Sequence, residues 1–169
     1  MFHAVGYTPE APTREAAFQG APYETIEITR REIREGFQTA TRAKSREVDL
    51  VLLGCPQLTI HQVRYVAEKL AGRKVKEGTS LWLQTNAFVK GMAKQLGYLD
   101  IIERAGGLVL QDMCTCLSYP ELLGHKTMAC NSTKVSFYTP GSNGMDIWCG
   151  DTDKCIETAI TGVFADEEI

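Results

Sequence analysis

One pattern constrains this chain more than any other: short apolar runs that end in chemically active side chains. Gly107-Leu-Val-Leu-Gln-Asp-Met-Cys-Thr-Cys116 is the clearest case, with Leu108 to Leu110 followed by Asp112, Cys114 and Cys116. An uninterrupted apolar run of that length predicts a strand buried on both faces. The pattern recurs. Val48 to Leu53 leads to Cys55, and Leu81 to Gln84 leads to Thr85 and Asn86. Lys126 to Ala129 leads to Cys130, Asn131 and Ser132, and Met145 to Cys149 is followed by Asp151 and Cys155. In open α/β sheets, sites form beyond the carboxyl ends of the strands. The pattern therefore predicts that reactive side chains collect along one sheet edge.

Helices are predicted between these runs. Thr59-Ile-His-Gln62 is a capping box, in which the threonine and glutamine satisfy each other's free backbone N–H groups. Val63, Val66, Ala67 and Leu70 then recur at helical spacing, and Gly72 closes the segment. Thr29 and Glu32 form a second capping box, with Ile33 and Phe37 on one face of a helix reaching about Lys44. A helix from Asn86 is expected to turn Phe88, Val89, Met92, Ala93 and Leu96 inward. Short helices are predicted at Leu99–Arg104 and near Ser118–Leu123, and a last one over Thr152–Ile160. The run Tyr138-Thr-Pro-Gly-Ser-Asn-Gly144 has turn chemistry. Alternating strand and helix gives the α/β class: three layers, with a mostly parallel sheet between flanking helices. Residues 1–22, with Pro9 and Pro12, are expected as an extended surface segment, residues 23–164 as a single α/β domain opening with a strand from Tyr23 to Ile28, and residues 165–169 as a frayed acidic tail.

The 169 residues suffice for one domain with a core, and the net charge is only −3. No stripe of Lys and Arg suggests a nucleic-acid surface, and no apolar stretch is long enough to span a membrane. The N-terminal residues lack a basic-then-apolar signal pattern, so the expected compartment is the cytoplasm. In that setting six cysteines read as thiols or metal ligands before disulfides.

Cys55, Cys114 and Cys155 each follow a predicted strand or open the next helix. Three thiolates from three loops can hold iron, as a single ion or in a cluster. Free cysteines are also common as small buried apolar groups. Cys114 and Cys116 form a C-x-C pair that offers redox chemistry instead. Asn131, Ser132 and Lys134 place amide, hydroxyl and ammonium groups at one strand end, a set that can grip carboxylate or phosphate; taken alone, they are better explained as a helix cap with a solvated lysine. Asp112, Thr85 and Asn86 are candidates to support the same edge from behind, although Asn86 is also a natural helix cap.

Five stretches, in this order, resemble aconitase X. They are His3-Ala-Val-Gly-Tyr-Thr-Pro-Glu-Ala-Pro-Thr13, Leu53-Gly-Cys-Pro-Gln57, Asp112-Met-Cys114, Asn131-Ser-Thr-Lys134 with Tyr138-Thr-Pro-Gly141, and Cys155-Ile-Glu-Thr-Ala-Ile-Thr-Gly162. The resemblance is to the catalytic large subunit and covers essentially the whole chain. It implies an aconitase-like domain and a dehydratase acting on a small hydroxy acid, with cis-3-hydroxy-L-proline as first choice and phosphomevalonate as second. It implies iron, as an Fe–S cluster or mononuclear ion, on Cys55, Cys114 and Cys155, and substrate contacts from Asn131, Ser132 and Lys134. Where the family has Gly-Cys-Pro-His-x-Ser, this chain has Gly54-Cys-Pro-Gln-Leu-Thr59, and Gln57 neither titrates nor ligates as an imidazole does. The family's large subunit extends upstream of this sequence, and a small swivelling domain or subunit carries the base. The resemblance therefore implies that this chain is a fragment or one piece of a split enzyme, inactive alone. Two other readings follow from the residues: a non-catalytic α/β binding or structural domain whose cysteines are free or hold zinc, and a thiol redox domain using Cys114 and Cys116.

Overall fold

Leu50-Val-Leu-Leu53 has an apolar side chain at every position, so as a strand it must be covered on both faces, and that places it in the middle of a sheet. A computed structural model of the chain, described for residues 2–18, 20, 24–114 and 117–165, shows this arrangement. Two units are distinguished, Met1–Ile33 and Arg34–Ile169.

The first unit holds a tight run of turns. Gly6 N donates to Ala11 O, Thr8 N to Ala4 O and Ala4 N to the Thr8 hydroxyl, and Ala11 is fully enclosed. A single helical turn, α1 (Arg14–Ala17), is capped by Thr13. The predicted strand from Tyr23 is not formed over residues 24–28, where Ile26 and Ile28 are exposed; Tyr23 lies outside the described residues. Helix α2 (Arg30–Ala40) begins with the expected Thr29–Glu32 pair, whose side chains are hydrogen-bonded. It ends at Ala40, short of the predicted Lys44.

The second unit is a five-stranded, wholly parallel sheet: β1 (Leu50–Leu53), β2 (Ser80–Thr85), β3 (Gly107–Gln111), β4 (Thr127–Cys130) and β5 (Asp146–Cys149), in the spatial order β3-β2-β1-β4-β5. The connecting helices are α3 (Ile60–Leu70), α4 (Ala87–Gln95), α5 (Tyr98–Ala105), α6 (Thr133–Asn143) and α7 (Thr152–Thr161). Alternation along the strands sorts the core into two layers. Val51, Leu53, Leu81, Leu83, Val109 and Ala129 face α3, α5 and α7. Leu50, Leu52, Trp82, Met128, Cys130 and Ile147 form the other layer, joined by Val135 of α6. The three-layer, mostly parallel expectation holds.

Beyond β5, the segment after α2 covers the sheet edge. Arg42 N donates to Ile147 O, and the Trp148 indole N–H donates to Ser45 O at 2.7 Å while its ring stacks on Phe164. The opposite edge is different. Leu108 of β3 is 48% exposed, so β3 is not the doubly buried strand expected from its sequence. Helix α4 also departs from expectation. Phe88 is 76% exposed and Leu96 is exposed, while Ala93 is the one buried residue of the helix. The apolar stripe is real, but its phase turns the two largest members outward. The predicted turn at 138–144 is instead the end of α6, which runs through Pro140 to Asn143 and closes at Gly144 with φ 66°. The short helix near 118–123 is a 3-10 turn over Pro120–Leu123. Of the predicted acidic tail, residues 166–169 lie outside the described residues.

These placements predict different costs for two leucines. Leu83→Ala empties a fully enclosed site and is expected to lower stability by about 2–5 kcal/mol. Leu108→Ala removes a half-exposed side chain and is expected to cost no more than about 1 kcal/mol. Urea unfolding of the two variants checks the assignment.

Candidate functional site

The carboxyl end of β2 organises the edge where the chemistry-bearing residues gather. Gly54 follows β1 with φ 118°, and a Cβ there would lie 2.3 Å from Gln84 O, so a glycine is required for the chain to pass. Leu58 N donates to that same Gln84 oxygen at 2.9 Å. The buried Thr85 hydroxyl donates to Leu58 O at 2.7 Å. Thr85 O in turn accepts from Asp112 N at 2.9 Å. Two residues of β2 thus fix both flanking loops, the one carrying Cys55 and the one carrying Cys114. Asn86, next in line, caps α4 by accepting from Val89 N at 2.9 Å.

Cys55 is half-buried at the exit of β1 and packs against the Leu50–Leu52–Trp82 layer. Gln57 is exposed beside it, and Thr59 and Gln62 form the predicted capping box at the start of α3. Asp112 has φ 54°, a left-handed conformation that aspartate tolerates better than most residues; it turns the chain so that Cys114 is exposed beyond β3. Cys116, partner in the C-x-C reading, lies outside the described residues.

Asn131, Ser132 and Lys134 follow β4. Ser132 is buried and caps α6, its hydroxyl accepting from Val135 N at 3.3 Å. The Asn131 amide donates to the Thr152 hydroxyl at 3.0 Å, which ties the ends of β4 and β5 together. Lys134, in the first turn of α6, is exposed. The sheet runs outward in both directions from the β1–β4 pair: β2 and β3 lie beyond β1, and β5 lies beyond β4. Connections leaving β1 and β4 therefore diverge and open a crevice at their carboxyl ends, where ligands of such sheets bind. The Cys55 loop leaves one strand of this pair and the Asn131–Lys134 turn leaves the other.

Cys155 is not brought to this crevice. It is fully enclosed in the layer between the sheet and α7, on the sheet face opposite the one Cys55 packs against. Its thiol is 4.0 Å from Gly150 O. Burial, reinforced by Cys149 nearby, pushes the Cys155 thiol well up, and so holds it protonated. Among the described residues no three His, Cys, Asp or Glu side chains converge on a point that would hold a metal ion. The described residues place two thiols beyond the carboxyl ends of strands, Cys55 after β1 and Cys114 after β3, and do not by themselves assemble a three-thiolate iron site.

The sequence pattern does not single out one feature here, the pair Cys130 and Cys149. These buried cysteines end neighbouring strands in register. The signal was present in the equal position of each at the end of its apolar run.

Comparison with known proteins gives concordant results. Residues 48–161 match the family model of the aconitase X third domain. The chain is 31% identical over 157 residues to the phosphomevalonate dehydratase large subunit of Methanocaldococcus jannaschii, covering 93% of this chain and 38% of that one. It is 30% identical over 165 residues to the cis-3-hydroxy-L-proline dehydratase of Pseudomonas aeruginosa, covering 96% of this chain and 28% of that one. The crystal structure of Thermococcus kodakaraensis aconitase X in its holo-form superposes with a TM-score of 0.77 at 30% identity, over 91% of this chain and 38% of that one. The chain thus spans little more than a third of these relatives at most.

The role of Thr85 is open to test. Thr85→Val keeps the shape and removes the hydroxyl, leaving the Leu58 carbonyl without its donor. Stability is expected to fall by about 1–3 kcal/mol. Amide exchange at Leu58 and Asp112 is expected to accelerate, because both loops hang on this residue.

Proposed function

The chain belongs to the aconitase X family, and from that premise we propose that it is the crevice-bearing part of a dehydratase that removes water from a small hydroxy acid. The observation that carries this reading is the β1–β4 switch point of the parallel sheet, where the chain leaves β1 toward Cys55 and leaves β4 toward Asn131, Ser132 and Lys134. We take cis-3-hydroxy-L-proline as the substrate and phosphomevalonate as the second choice. A single lysine beside a capped helix start suits one carboxylate, whereas a phosphate together with a carboxylate calls for more positive charge.

Iron, when bound, supplies Lewis-acid polarisation of the leaving hydroxyl. Cys55 and Cys114 are the ligands proposed from this chain. The three-cysteine expectation would add Cys155, but that thiol is enclosed and held protonated in this structure. The remaining donors are proposed to come from outside the described residues, in keeping with the small share of the relatives that the chain spans. Lys134 is proposed to pair with the substrate carboxylate and the Asn131 amide oxygen to accept from the substrate, while Ser132 fixes the start of α6, in whose first turn the exposed Lys134 lies. The base that takes the carbon-bound proton is proposed to lie on a small partner domain or subunit. The description of relatives as large subunits supports such a partner. The compartment that suits exposed thiols of this kind is the cytoplasm.

The test is anaerobic purification of the assembled enzyme, metal analysis and an assay of water elimination from both substrates. Cys55→Ser and Cys114→Ser are each expected to abolish iron binding, whereas Cys155→Ser is expected to retain it. Iron lost only in Cys155→Ser would overturn the ligand assignment. Lys134→Ala is expected to raise KM about tenfold to a hundredfold through loss of a charge-assisted hydrogen bond, with iron content unchanged.

A further inference from the structure

Cys130 and Cys149 are the last residues of β4 and β5 and stand directly opposite each other in the parallel register. Register partners present their side chains on the same face of the sheet. Adjacent strands lie about 4.8 Å apart, within the roughly 4.4–6.8 Å between Cα atoms that a disulfide spans. Both residues are buried, and the thiols interact. The Cys130 sulfur is 3.4 Å from the Ser132 carbonyl oxygen, and its thiol also reaches the Cys149 sulfur.

We propose that Cys130 and Cys149 are a redox-active pair that closes to an intramolecular disulfide when the protein meets a peroxide. The inference does not depend on the dehydratase reading. The two cysteines differ in readiness. The neighbouring Cys130 thiol and Ser136 hydroxyl bring the Cys149 thiol down to about 7, whereas the same neighbour and burial push Cys130 up. Cys149, on the edge strand β5, is the attacking thiol, and Cys130, one strand further in and fully enclosed, is the resolving one. The Cys149 sulfur displaces hydroxide from hydrogen peroxide and becomes a sulfenic acid. The Cys130 sulfur then attacks it, the S–S bond forms, and the sulfenic oxygen leaves as water. In sum, two thiols and one peroxide give one disulfide and two waters.

Access sets the pace. Cys149 N donates to the Thr41 hydroxyl at 3.2 Å, which ties the covering segment to the β5 edge, so that segment must open briefly before a small oxidant enters. Larger reagents are expected to modify the exposed Cys114 first. Cys155, the third buried thiol nearby, is not part of the pair, because it sits in the opposite core layer.

Trypsin separates the candidates. Cleavage after Lys126, Lys134 and Lys154 puts Cys130 in peptide 127–134, Cys149 in peptide 135–154 and Cys155 beyond. The native protein is treated with hydrogen peroxide until peptide 105–126, which carries Cys114, is oxidised. It is then denatured, alkylated, digested and analysed by mass spectrometry without reductant. The expected result is a linked 127–134/135–154 species as the dominant form of both peptides, abolished by dithiothreitol. Recovery of both peptides as alkylated thiols would overturn the proposal. So would Cys149 linked to any peptide other than 127–134.

Discussion

The edge depends on the last two residues of β2. Gln84 and Thr85 are buried, and their polar groups have to be satisfied internally. They meet this constraint by holding the neighbouring loops: Gln84 O accepts Leu58 N, Thr85 Oγ1 donates to Leu58 O, and Thr85 O accepts Asp112 N. A backbone requirement inside the core thereby sets where two surface loops begin. Gly54 completes the arrangement, since any side chain there would meet Gln84 O. Cys55 and Cys114, on loops that would otherwise be free to drift, start from fixed points on either side of the same strand.

The sheet order then decides what lies across from them. A chain that built β1, β2 and β3 outward and then returned to place β4 on the other side of β1 must leave a gap between the β1 and β4 connections. The Cys55 loop and the Asn131–Lys134 turn border that gap. Asn131 is anchored to Thr152, and Ser132 caps α6, so this turn is braced by both the next strand's exit and the next helix's start. The same packing removes Cys155 from the gap, because α7 lies on β1 and β4 and turns that thiol into the core.

Much of this was legible in the sequence, because local rules act over a few residues. The capping box at Thr59–Gln62, the cap at Asn86 and the five apolar runs each declared an element, and the structure forms all of them near the expected positions. What was not legible depends on neighbours. The outward turn of Phe88 and Leu96 on α4, the exposure of Leu108 and the enclosure of Cys155 depend on which helix covers which half of the sheet. A run of apolar residues does not encode that. Helix α6 continues past Pro140 although the 138–144 stretch carries turn residues, because the cap at Ser132 and the burial of Val135, Ser136 and Thr139 outweigh one lost backbone hydrogen bond. Cysteine position was legible to the residue, but the direction each thiol faces was not.

The central proposal is that Cys55 and Cys114, beyond the carboxyl ends of β1 and β3, are metal ligands while Cys155 belongs to the core. Anomalous diffraction at the iron absorption edge, from crystals of the assembled enzyme grown anaerobically, tests it most directly. The account predicts an iron peak at the carboxyl edge of β1 to β3, within bonding distance of the Cys55 and Cys114 sulfurs, with Cys155 still enclosed beneath α7. A peak bonded to Cys155, or one remote from both Cys55 and Cys114, would contradict it.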